Sequence, residues 1–206
     1  MNNKAVEPER KQSYKQIEKI LKKQSVVTVK DIVSANISRN LLSDMANQGL
    51  ITCIKPGIYE SNNRDVSEFE SFVDISVQAP NAVIALLSAL QFHGLTTENP
   101  HQVWAAFLRG QRIPNIEYPP MRHVIFSEKA YQYGVEEHNA QGVTYKVYSV
   151  AKTIADCFKY RHKIGLDVAI EALKESVINK TDINEIWDAA KVCRVQNIIR
   201  PYMEAI

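Results

Sequence analysis

Long apolar stretches are the first thing missing from this chain. The longest in its 206 residues, 82–90, falls well short of the roughly 20 that a bilayer-spanning helix needs. No membrane span is expected, and the stretch reads as part of a buried helix over 82–92, opened by Pro80-Asn81 and stopped at Gly94. Cysteine is scarce. Cys53, Cys157 and Cys193 stand far apart, with no CxxC pair and no histidine at finger-like spacing. That pattern fits buried thiols in a reducing cytosol better than a disulfide or zinc framework. The opening MNNKAVEPERKQ has basic residues but no apolar core, so no secretory leader is expected and the chain is placed in the cytoplasm. Catalytic signatures are missing too: no Walker-A loop, HExxH, GxSxG or GxGxxG occurs. Residues 61–206 also lack the acidic-x-Lys triplet with which a metal nuclease holds its metal and activates water. No enzyme, cofactor or metal site is expected. The best metal-like cluster, Glu136-Glu137-His138, lies on a strand pattern, so Glu136 and His138 share a face that Glu137 does not, and a polar strand end is the simpler reading.

What is present is a packed, folded composition, 45% hydrophobic and 23% charged, with its charge unevenly divided. Residues 1–60 hold ten basic and six acidic side chains, a formal +4, against −2 for the remainder. Such asymmetry suggests a nucleic-acid-facing first domain on a near-neutral body. Within residues 13–60 the order of elements is specific. Tyr14, Ile17, Ile20 and Leu21 form one apolar face of a first helix, with lysines opposite. Thr28, followed at the third position by Asp31, signals a cap and a short second helix with Ile32 and Val33 turned inward. Asn36 supplies a tight turn, and Ser38 is expected to cap a third helix whose Leu41, Leu42 and Met45 share a stripe. Gly49 ends it, and a strand over 50–54, a Lys55-Pro56-Gly57 turn and a return strand over 58–60 follow. Helix, helix, tight turn, helix and hairpin is the order of a winged helix-turn-helix. The fold class expected is α+β, with a winged helix-turn-helix over residues 1–66 and a mixed α+β domain over 67–206. Residues 61–65 read as a linker.

The third helix turns Arg39, Asn40, Ser43, Asp44 and Asn47 away from its apolar stripe. Arginine pairs bidentately with guanine and asparagine with adenine in the major groove, so Arg39, Asn40, Ser43 and Asn47 are candidates for base readout. Ser38 and Thr28, at helix starts, are candidate phosphate contacts, and Lys55 at the turn is a candidate for a flanking phosphate or the minor groove. Asp44 is out of place beside phosphates; it is expected to pair with Arg39 or to accept from cytosine.

In the second domain, strands are expected over 101–108, 122–127, 134–138 and 143–147, a proline-rich loop over 113–120, and helices over 69–78, 149–161, 166–177, 182–193 and 195–206, the last weakened by Pro201. Asp156 sits among Ile154, Ala155, Cys157 and Phe158, so a buried carboxylate is expected, with Arg109, Arg122 or His93 as its donor. His93 reads as a partner for the end of its own helix. Cys157 reads as a small core side chain.

A resemblance joins these pieces. Gly49-Leu50-Ile51 and Lys55-Pro56-Gly57-Ile58-Tyr59 resemble the winged-helix start of AbiEi-type antitoxins. Ser88-Ala89-Leu90, His93-Gly94-Leu95-Thr96, Pro100 and Val150-Ala151-Lys152-Thr153-Ile154-Ala155-Asp156 look like the second domain of that family. The resemblance implies a bacterial type IV toxin–antitoxin pair linked to phage defence. Its winged helix would bind double-stranded operator DNA and repress the shared operon. Its second domain would help neutralise a nucleotidyltransferase-like toxin, without need of a stable complex. The chain lacks the Gly-Ser and paired-Asp pattern of the toxin itself. Under this reading the neutralising surface is sought among polar groups beyond residue 66, with Arg109 and Arg112 ahead of His93 and Asp156. Two other readings stay open: a winged-helix regulator that senses a small ligand in an apolar cavity lined by Trp104 and Phe107, and a degenerate nuclease with convergent carboxylates in the second domain.

Overall fold

Apolar spacing in the first helix sets the N-terminal core. In the computed structural model, which describes residues 6–23, 26–62, 69–140 and 142–206 and side chains from residue 10 onward, α1 (Val6–Leu21) buries Ile17 and Leu21. Strand β1 (Val26–Thr28) leads into α2 (Val29–Ser34), α3 (Asn40–Asn47), β2 (Ile51–Lys55) and β3 (Ile58–Ser61). The three strands form one antiparallel sheet in the order β1-β3-β2, with Val27 opposite Tyr59 and Cys53 opposite Tyr59 from the other side. Ile17, Val27, Ile32, Leu42 and Met45 are fully buried together, and Ile37, Ile51 and Tyr59 close the cluster.

Local chemistry explains the joints. Thr28 accepts from the Asp31 amide while Asp31 accepts from the Thr28 amide, so two otherwise orphaned donors of α2 are satisfied reciprocally. We expect Thr28→Ala to cost about 1 kcal/mol of stability, read as a lower urea midpoint at unchanged slope. Asn36 adopts φ 56° and Gly49 φ 70°, the left-handed conformations the turns require.

Three expectations are corrected in this unit. Val33 is 52% exposed rather than inward, because neighbouring helical residues diverge by about 100° and Ile32 already holds the core side. Ser38 does not cap α3: Arg39, itself in helical conformation, precedes the helix without a side-chain cap, and the Ser38 carbonyl accepts from the Leu41 amide instead. Strand β1 was not expected, and Leu50 lies outside β2, 45% exposed. The segment 63–65 of the expected linker lies outside the described residues.

The second sheet has five strands in the order β6-β5-β4-β8-β7: β4 (Val83–Ile84), β5 (Val103–Leu108), β6 (Met121–Phe126), β7 (Val135–Ala140) and β8 (Val143–Tyr148). Strand β5 runs parallel to β6 and antiparallel to β4, while β4 runs parallel to β8. The apolar stretch expected as one helix is therefore divided. Val83 and Ile84 enter the sheet, and only Leu86–Phe92 (α5) is helical, after Leu86 itself takes φ 49°. Periodicity cannot tell a short buried strand from a buried helix, and the two β-branched residues take the pairing that neighbouring strands offer.

Helix α4 (Glu70–Gln78) precedes this sheet, and a short α6 (Glu128–Gln132), absent from the sequence reading, follows β6. Helices α7 (Val150–Lys159), α8 (Arg161–Ile164), α9 (Leu166–Ile178), α10 (Ile183–Cys193) and α11 (Gln196–Met203) complete the chain, and α11 continues through Pro201. Helix α7 is central. Every residue from 151 to 158 is buried, and α5, α9 and α10 pack around it. Gly134, at φ 67°, lies so close to α7 that an added Cβ would fall 2.8 Å from Lys152 Cβ, so no larger residue fits there without displacement. The chain is thus α+β and divides into two compact units, 1–68 with 139–143, and 69–138 with 144–206. Among the described residues no helix is long and apolar enough to cross a membrane.

Candidate functional site

In the N-terminal unit, Arg39, Asn40, Ser43 and Asn47 are exposed on the side of α3 away from buried Leu42 and Met45. Leu41 is only half-buried, at the edge of the core. The Ser43 hydroxyl lies 3.2 Å from that of Tyr59, so sheet and helix fix its position. Asp44 does not pair with Arg39. It forms an ion pair with Arg10 of α1, which neutralises the one acidic group on this face. Hydrogen bonding to Tyr14, and then the charge of Asp44, hold the Arg10 guanidinium above even its high ordinary pKa. Lys55 ends β2 half-buried, beside the Pro56-Gly57 turn whose Gly57 carbonyl accepts from the Val29 amide at 2.8 Å.

Thr28, the expected phosphate contact, has its side chain engaged within the cap in the free chain. Its hydroxyl donates to the Asp31 carboxylate at 2.7 Å, so its only proton is used within the cap. Ser38 is exposed, yet without the helix-start geometry that motivated it.

The second unit departs further from expectation. Asp156 is fully buried, and its donors are Lys152, one helical turn earlier, and the Cys193 thiol at 3.2 Å, not Arg109, Arg122 or His93. The Lys152 ammonium is also fully buried, 4.2 Å from the Phe126 ring centroid and 4.1 Å from that of Tyr148. Burial raises the Asp156 pKa while Lys152 opposes it. Burial, with the Asp156 charge, pushes the Cys193 thiol up to about 12, and burial pushes Cys157 well above its ordinary range. Neither thiol has thiolate character at neutral pH. A group enclosed in this way offers no surface to a partner, unlike the exposed position that a neutralising face needs. His93 is half-buried and holds the Tyr148 carbonyl through Nε2 at 2.7 Å; because a carbonyl only accepts, that nitrogen carries the proton. It ties α5 to the end of β8 rather than serving its own helix terminus.

Arg109 and Arg112 are exposed. Arg109 lines a cavity of about 410 Å³ with Ile125, Ser127, Lys159, Tyr160, Val192 and Arg194. Trp104 and Phe107 are buried in the core, Trp104 beneath Arg122 at 4.5 Å, and neither lines that cavity. Glu136 and His138 do face each other, at 3.6 Å, but the imidazole packs on Phe92 and Tyr145. Among the described residues no three His, Cys, Asp or Glu side chains gather as a metal would require.

Lys152 carried a signal that could have been read: a Lys and an Asp four apart on a helix otherwise apolar at both flanks must pair or stay uncharged. Lys159 and Arg194 carried none, because only the folded chain brings the ends of α7 and α10 to β6. The sequence matches no family model, and no curated protein matches it.

Proposed function

We propose that this chain is a DNA-binding antitoxin that represses its own operon through its N-terminal unit and counteracts a nucleotidyltransferase-like toxin through its second. The observation that carries the reading is the exposed face of α3, with Arg39, Asn40, Ser43 and Asn47 presented together and Asp44 neutralised by Arg10. Three helices and a three-stranded antiparallel sheet, with a turn at Pro56-Gly57, support the reading of a winged helix-turn-helix, in which α3 would enter the major groove. Lys55 at the wing would then meet backbone phosphate. The excess of basic residues over 1–60 favours approach to a polyanion. The antitoxin part rests on the family resemblance.

The neighbouring reading frame is expected to encode the toxin. Expressing it with Arg109→Ala/Arg112→Ala protein, and following growth together with a reporter driven by the upstream DNA, tests both halves. We expect rescue of growth to fall while repression and melting temperature hold. Loss of both with a lower melting temperature would make these arginines structural. A neighbour without nucleotidyltransferase character would remove the antitoxin half.

A further inference from the structure

Arg109 follows β5, Lys159 ends α7 and Arg194 closes α10, yet the three line one cavity, of about 410 Å³. Among the described residues none of the three forms an ion pair with a carboxylate. The nearby Asp156 is already committed to Lys152 and Cys193. The three cations border one space, Lys159 with its Nζ 5.6 Å from the Phe126 ring centroid, and an anion between them would relieve their mutual repulsion. Arg194 is held at φ 60°, ψ 45°, the position after a helix where glycine fits at least strain, so an arginine there is a costly choice for the fold alone. The remaining wall is apolar and aromatic. Ile125 stays 46% exposed on the edge strand β6, and Val192 and the Tyr160 ring stand with it. The Tyr160 hydroxyl donates to the Ile125 carbonyl at 3.2 Å, and Ser127 is the other hydroxyl residue that lines the cavity.

We infer that this cavity binds a small phosphate monoester, its phosphate held by Arg109, Lys159, Arg194 and Ser127 and its organic body against Ile125, Val192 and Tyr160. Guanidinium forks match phosphate oxygens in pairs, and three cations suit the dianion better than a single carboxylate. The volume is that of a small-ligand site. The inference shares Arg109 with the proposed neutralising surface but is tested apart from it, because occupancy is measured with neither DNA nor toxin present.

The test uses the full chain with inorganic phosphate, adenosine 5′-monophosphate and adenosine as calorimetric probes. Phosphate and the nucleotide are expected to bind saturably, one per chain, with the nucleotide at least tenfold tighter and adenosine undetected. Affinity should rise between pH 5.5 and 7.5, as a phosphate with its second pKa of about 6 gains its second charge. Arg109→Gln and Arg194→Gln, both at exposed positions, should each weaken binding at least tenfold at an unchanged urea midpoint. Lys174→Gln, an equal loss of charge on α9, should stay within twofold. No saturable binding of phosphate or nucleotide would overturn the assignment, as would equal affinities in wild type and both arginine variants. A nucleotide no tighter than phosphate would overturn the role of the apolar wall. If random duplex DNA, and not the small probes, lost affinity through the two arginine variants, the cations would serve a nucleic-acid backbone and the small-ligand site would be rejected.

Discussion

Lys152→Met should destabilise the second unit by about 3–5 kcal/mol at pH 7, because it strands the Asp156 carboxylate, fully buried, without its cation. For a chain of this size that corresponds to a fall of roughly 6–20 °C in the unfolding midpoint. The Cys193 thiol is a weak donor and cannot replace an ammonium. The double variant Lys152→Met/Asp156→Leu removes both charges, and it should recover most of the loss, since a paired buried charge contributes little over a well-packed apolar pair. The pH dependence follows from the same geometry. Burial without Lys152 lifts the folded-state pKa of Asp156 further above its unfolded value, so the protonated acid is favoured in the fold. The penalty is absent below the unfolded pKa near 4 and grows as pH rises through the folded one. The single variant should therefore lie closest to wild type near pH 4 and furthest from it near pH 7. A double variant as unstable as the single would show that packing of the lysine stem, not stranded charge, is what the site needs.

A second large effect is expected on DNA. If α3 lies in the major groove, Arg39→Ala and Asn40→Ala should each reduce preference for the cognate site by roughly 1–3 kcal/mol, about 5- to 150-fold, with little change on unrelated duplexes. Lys55→Ala should weaken all duplexes alike and reduce the salt slope by about 1, as loss of a phosphate contact does. Binding isotherms on cognate and scrambled DNA separate the two patterns. A change in sequence preference from Lys55→Ala and none from Arg39→Ala would reverse the assigned roles of helix and wing.

What could be read beforehand was chemistry that acts over a few residues. The Thr28–Asp31 cap, the left-handed Asn36 and Gly49, and the buried stripe of Leu42 and Met45 are local consequences of side chains at fixed spacing, and each is found in the structure. What escaped depends on partners distant in sequence. Val83 and Ile84 are a strand only because β5 and β8 flank them, and Val26–Thr28 becomes β1 only beside β3. The donor to Asp156 is a lysine one turn away, not one of the candidate arginines or the histidine, and its ammonium is tolerated in the core because the faces of Phe126 and Tyr148 meet it there, which only the folded chain supplies. Asp44 was read on its own helix, whereas its partner Arg10 lies on another. The cavity at Arg109 joins the ends of β5, α7 and α10, a meeting that no periodicity encodes.

The central claim is that the N-terminal unit reads the DNA upstream of its own gene. The direct measurement is the affinity of the full chain for that duplex and for a scrambled duplex of equal length, over a series of salt concentrations. The account predicts a preference of about 10³ or more for the upstream DNA, with the logarithm of affinity for both falling linearly as the logarithm of salt rises. Equal affinity for the two duplexes, or binding indifferent to salt, would contradict it.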